Sequence, residues 1–151
     1  MRLDFQRILP KDPTRYSGYR AIRVILAIFL IAVVGRSTIH LVASDGGANS
    51  IAGIDVSVAG GDNIIAIFHQ WGATQLLLAL FLVLLFFRYP GLTPLILLSL
   101  AMDPVLRAIA GQFKSVTAEG TPPGESLNWV AFYFISALFI ASLAEKSSKK
   151  E

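Results

Sequence analysis

The chain has 151 residues, 54% of them apolar and 15% charged, and a formal net charge of +3. That is more apolar surface than a soluble domain of this length can bury, so the surplus must face something other than water. The absence of cysteine excludes disulfides, thiolate metal sites, iron–sulfur clusters and cysteine nucleophiles, and basic residues that are not gathered into a groove-reading element argue against a nucleic-acid partner.

Four apolar stretches follow one another, at about 21–42, 64–87, 92–111 and 128–144. Each approaches the roughly 20 residues needed to cross about 30 Å of hydrocarbon. The expected fold is all-α, a single integral membrane four-helix bundle over residues 1–151, whose fourth crossing returns the chain to its starting side. Arg2, Arg7, Lys11, Arg15, Arg20, Arg23, Arg88, Lys146, Lys149 and Lys150 fall on that side, ten of the thirteen basic residues. The opposite loops hold Asp45, Asp55, Asp62, Glu119 and Glu125 against Lys114. By the positive-inside rule both termini are expected in the cytoplasm. A cleaved secretory signal is the competing reading of the first stretch, since Leu41-Val42-Ala43 loosely resembles a cleavage site. The basic region is too long for a signal, and Arg36 and His40 interrupt the approach to the site, so an uncleaved helix is expected.

Between the second and third stretches, Pro90-Gly91 suits the central positions of a type II turn and makes those helices antiparallel neighbours. Thr93 followed by Pro94 reads as an N-cap and first helical residue. In the glycine-rich segment 43–63, Ile51, Ile54, Val56 and Val58 partly alternate, which allows a brief strand or a segment lying on the membrane surface.

Ionisable groups inside membrane helices need a partner, a route to water or a function. Counting about 1.5 Å of rise per residue from the cytoplasmic ends puts Asp103 roughly 16 Å deep, Gln75 roughly 18 Å, Arg107 roughly 22 Å and Arg36 roughly 24 Å. Arg36/His40, Trp71/Gln75, Asp103/Arg107 and Trp129/Tyr133 are each i,i+4 pairs, so each helix carries one polar or amphipathic stripe in the outer half of the bilayer. If the stripes converge, Asp103 is the anion available to two guanidinium groups, and Pro104 frees a carbonyl near Leu100. The bland alternative pairs Asp103 with Arg107 simply to make insertion tolerable, lets Arg36 snorkel and leaves the tryptophans at the interface. Ala137 and Ala141 have the small-xxx-small spacing that permits close helix approach.

The run Gln70-Trp71-Gly72-Ala73-Thr74-Gln75, the turn Arg88-Tyr89-Pro90-Gly91 and the segment Met102-Asp103-Pro104-Val105-Leu106-Arg107 resemble small bacterial four-helix membrane proteins of the DoxX-like kind or their uncharacterised relatives. The resemblance covers about residues 64–111, and Gly72 and Arg107 are the positions it carries over. It implies a bacterial inner membrane and a lean towards respiratory or thiol redox systems, the latter weakened by the missing cysteine.

No paired-histidine zinc motif, phosphate-cradling glycine loop or serine elbow is present. The leading expectation is therefore a non-enzymatic accessory or structural component of a larger membrane complex in the lipid bilayer, with no cofactor. A second is a site for a small amphipathic ligand, such as a quinone or an anionic lipid, between Arg36, Gln75, Asp103, Arg107 and Tyr133. A third is bis-histidine haem b on His40 and His69, which lie at similar heights on consecutive helices. The charge asymmetry predicts that a single cysteine reporter at Ser50 is labelled from the outer side of the membrane and one at Ser148 is protected; the reverse pattern overturns the topology.

Overall fold

A computed structural model describes residues 3–144. Arg2, the tail lysines Lys146, Lys149 and Lys150, and Ser148 lie outside the described residues. The chain is all-α, with helices α1 (Arg20–Val42), α2 (Gly61–Arg88), α3 (Thr93–Phe113), the single turn α4 (Pro123–Ser126) and α5 (Asn128–Ser142). Short 3-10 turns at Phe5–Ile8 and Pro90–Leu92 precede α1 and α3.

Three stretches, Arg20–Val42, Gly61–Arg88 and Pro90–Phe113, are long and apolar enough to cross a membrane. The expected fourth span is shorter than the sequence suggests. α5 is apolar but has 15 residues, about 22 Å of helix against roughly 30 Å of hydrocarbon. Outward-facing side chains along the long helices, Ile31, Leu77 and Phe87 among them, are large, apolar and exposed, the inverse of the polar exterior that a water-facing helix presents.

The helices pack chiefly as two pairs, α1 with α2 and α3 with α5. The pairs share a core of Ile22, Leu26 and Leu30 from α1, Leu82 and Phe86 from α2, Ile96, Leu97 and Ala101 from α3, and Ile135 from α5. Most of these residues belong to the end of the bundle where α1 and α3 start and α2 stops, the basic end. Ala141 packs against this core but Ala137 is exposed, so only half of the small-residue pair serves helix approach.

An N-terminal arm closes the basic end. The Asp4 N–H donates to the Leu143 carbonyl at 3.1 Å, and the Arg7 guanidinium donates to the Ala144 carbonyl and, at 2.9 Å, to Ser17 Oγ. Residues 3 and 144 pair as an isolated antiparallel bridge, so the two ends of the described chain meet on one side of the bundle.

The α2–α3 connection corrects the expected type II turn. Gly91 is not among the glycines with positive φ, which that turn requires at its third position. Residues Pro90–Leu92 form a 3-10 turn instead. Glycine is needed there for space, because a Cβ would lie 2.8 Å from the carbonyl oxygens of both Pro13 and Arg15, and the Gly91 N–H donates to Pro13 O at 2.7 Å. Thr93 is the first residue of α3 rather than its cap, and its hydroxyl donates to Pro90 O at 2.7 Å. α3 continues through Pro104.

The far-end loop, residues 43–60, contains turns and no strand, so the partial alternation of its apolar residues reflects no pairing. Its organiser is Asp45, whose carboxylate accepts from the backbone N–H groups of Gly47, Asn49 and Ser50 and from the Ser50 hydroxyl. These bonds, the Ser50 amide first, hold its pKa down to about 2. The Glu119 N–H donates to Gly53 O at 2.7 Å and ties this loop to the 114–122 segment.

Gly72 sets the closeness of the α1/α2 pair. A Cβ on it would stand 2.7 Å from the His40 carbonyl carbon and from the Leu41 nitrogen, atoms of α1's own backbone that cannot swing away. Gly72→Ala is therefore expected to destabilise the solubilised protein by about 1–3 kcal/mol. Gly35→Ala, with nothing within 4 Å of the added carbon, is expected to be neutral or stabilising by up to about 1 kcal/mol. Thermal unfolding of the two variants side by side tests the contact, and equal effects would refute it.

Candidate functional site

Of the five residues expected to form a site, four occupy one region towards the far end of the bundle. Arg36 on α1 donates through Nη2 to Gln75 Oε1 on α2 at 2.7 Å, and its guanidinium carbon lies 5.4 Å from the Trp71 ring centre. The stripes on α1 and α2 thus face one another. On α3, Asp103 Oδ2 and Arg107 Nε are 3.1 Å apart, an ion pair by distance whose N–H is not aimed at the carboxylate. Arg107 Nη1 reaches Gly124 O on α4 at 3.3 Å. Arg36 is in electrostatic range of both Asp103 and Arg107, but its direct partner is Gln75. The two halves face each other without a shared hydrogen bond.

The Asp103 and Arg107 side chains remain 45% and 32% exposed, so this is an open polar seam and not a sealed ion pair. Tyr133 is not part of it. It is 68% exposed, and its ring lies against Trp129 and Phe132 on its own helix. The spacing placed Tyr133 and Trp129 on one face correctly, but α5 turns that face outward. The polar partner that α5 does supply is Asn128, which donates through Nδ2 to Pro104 O at 3.0 Å and keeps its own Oδ1 buried and unpartnered. At the margin of an apolar run, Asn128 offered no sequence signal beyond that of a helix boundary.

The two histidines serve the α1–α2 connection. His40 is 4% exposed, sits 4.7 Å from the Trp71 ring centre and 6.0 Å from that of Phe68, and engages Gly46 O through Nδ1 at 2.8 Å. His69 Nδ1 engages Leu41 O at 2.9 Å. A carbonyl partner requires each Nδ1 to carry the proton, so both rings bind backbone oxygens where α1 ends.

A second site lies at the basic end, where the sequence showed only a cluster of positive charge. Arg23 donates to Phe86 O at 3.0 Å, Pro90 O at 3.3 Å and Thr93 Oγ1 at 3.0 Å, with its guanidinium 4.1 Å from the Phe86 ring centre. It joins the start of α1 to the end of α2 and the start of α3. Beside it is a cavity of about 670 Å³ lined by Tyr16, Arg20 and Arg23. The Tyr16 hydroxyl is buried without a hydrogen-bond partner, and burial pushes its pKa up, against the opposing pull of Arg7 and Arg23. Only an i,i+3 arginine pair, Arg20 and Arg23, hinted at this site in the sequence.

Comparison with protein-family models, curated proteins and solved structures finds no match.

Asp103→Asn removes the carboxylate and leaves Arg36 and Arg107 as two facing cations. The expected loss is about 1–3 kcal/mol, between the values for exposed and buried pairs. Adding Arg36→Gln relieves the repulsion, so the double variant should regain part of that loss in thermal unfolding. A double variant no more stable than Asp103→Asn alone would show that the two halves of the seam are uncoupled.

Proposed function

We propose that the chain is a non-enzymatic multipass membrane protein, with both termini cytoplasmic, that docks beside a larger membrane protein. The observation that supports docking is α5. Its 15 apolar residues fall short of the hydrocarbon thickness, and a short span is accommodated by a thinned bilayer or by association with a neighbouring protein. Its outward face carries Trp129, Val130 and Tyr133, all exposed, a concentration of aromatic area of the kind enriched at protein interfaces.

The polar seam fits the same reading as an internal lock. Arg36 with Gln75 closes α1 on α2, Arg107 with Gly124 and Asn128 with Pro104 close α3 on the α4–α5 segment, and each replaces a polar group otherwise left in hydrocarbon. A second reading, a small anionic amphipathic ligand in the seam, is favoured by the grouping of Arg36, Gln75, Asp103 and Arg107 with partly exposed charges. Membership among DoxX-like proteins in a bacterial inner membrane is compatible with either.

A photo-crosslinking side chain at Tyr133 is expected to give a discrete protein adduct in native membranes, whereas one at Leu77, equally exposed on α2, should capture lipid alone. If the Tyr133 probe also meets lipid only, α5 is not a docking face.

A further inference from the structure

The cavity at the basic end does not stop at its arginines. A second, apolar cavity of about 290 Å³ runs on along the flank of α1 and α2, between Ile31 and Val34 on one side and Leu80 and Phe87 on the other. Ala27 and Phe86 line both cavities. The two adjoin there, a basic mouth beside an apolar stem. From Arg20 to Val34 the helix rises about 21 Å, of which the apolar stem from Ala27 onward takes about 10 Å, so mouth and stem together have the depth of one leaflet of a hydrocarbon core of about 30 Å.

The mouth is built for an anion. The ion pairs among the described residues are Arg7 with Asp4, Arg15 with Asp12 and Arg107 with Asp103, so Arg20 and Arg23 have no carboxylate partner there. α1 begins at the same place, and Tyr19 at its N-cap makes no side-chain hydrogen bond to the first turn, so no side chain caps its amides and the positive end of the helix dipole adds to the attraction for an anion. The partnerless Tyr16 hydroxyl is one more donor in the lining. Among the described residues no acidic side chain lines the mouth to receive a choline or ethanolamine cation, and the Phe86 face that could attract one is covered by Arg23.

We propose that this cleft binds a phospholipid of the surrounding leaflet with a net negative head group. Its phosphate is held by Arg20, with Arg23 behind it and Tyr16 donating, and one acyl chain lies in the stem between α1 and α2. The adjacency of mouth and stem favours a lipid over a free anion, since a soluble phosphate uses the first and has no need of the second. The inference rests on α1 and α2 spanning the membrane, though not on any docking by α5.

The test uses the full chain in nanodiscs of mixed phosphatidylcholine and phosphatidylglycerol, followed by native mass spectrometry of the lipid retained on release. Wild type is expected to keep phosphatidylglycerol in preference to phosphatidylcholine. Arg20→Gln, at an exposed position that leaves the Arg23 clamp intact, should weaken that retention about tenfold, the effect of one lost charge-assisted contact. Val34→Trp should weaken it by blocking the stem. Equal retention of both lipids, or retention unchanged in Arg20→Gln, overturns the proposal. So does displacement by inorganic phosphate together with indifference to Val34→Trp, which would describe an anion site without a tail. A chain that fails to enter the nanodisc overturns the membrane-spanning reading, and the lipid site with it, before any lipid is weighed.

Discussion

Three helix ends meet at Arg23, and the rest of the bundle depends on how their unpaired backbone groups are satisfied there. The Phe86 carbonyl in the last turn of α2 has no intrahelical donor, since the residue four positions on is Pro90, and an unpaired carbonyl away from water costs a few kcal/mol. The Arg23 guanidinium supplies that donor, adds a bond to Pro90 O beside those from Thr93, and holds the Thr93 hydroxyl at the head of α3. Its own position is otherwise unfavourable, since a cation in the first turn of a helix opposes the macrodipole; the negative end of the antiparallel α2 offsets that. Leu26 and Leu30, roughly one and two turns further along α1, then fall into the shared core.

The far end is organised on a different principle. There the polar groups pair within each half of the bundle, and the halves meet by facing charges and by the loop bond from Glu119 to Gly53. Apolar packing dominates one end and mutual polar satisfaction the other. This division explains why the charged residues deepest in the helices are only partly covered: they line the seam between pairs and do not sit in the middle of one.

The long helices were readable because length and unbroken apolarity are strong signals that need no tertiary context. Arg36 with Gln75 and Asp103 with Arg107 do pair, because i,i+4 spacing and depth fix where a residue stands on a helix. What spacing cannot fix is the rotation of that helix. α5 is apolar almost all round, so nothing in its pattern told whether Tyr133 faced in or out. The turn at Pro90-Gly91 was misread for a related reason: glycine usually signals positive φ, but here it answers the close approach of Pro13 and Arg15, residues more than seventy positions away. Arg23 was hidden by its company, one of six basic residues in the first 23, whose collective charge is readable while individual hydrogen bonds are not.

The arm that closes the basic end also bears on how the molecule is made. Asp4 and Arg7 precede α1 to α5 in the chain, yet their partners are the carbonyls of Leu143 and Ala144. Residues made before the helices are therefore placed after them, since these contacts need α5 at rest against α3. The arm thereby acts as a latch whose closure registers that assembly is complete. A chain interrupted before residue 143 would leave Asp4 and Arg7 without these two contacts.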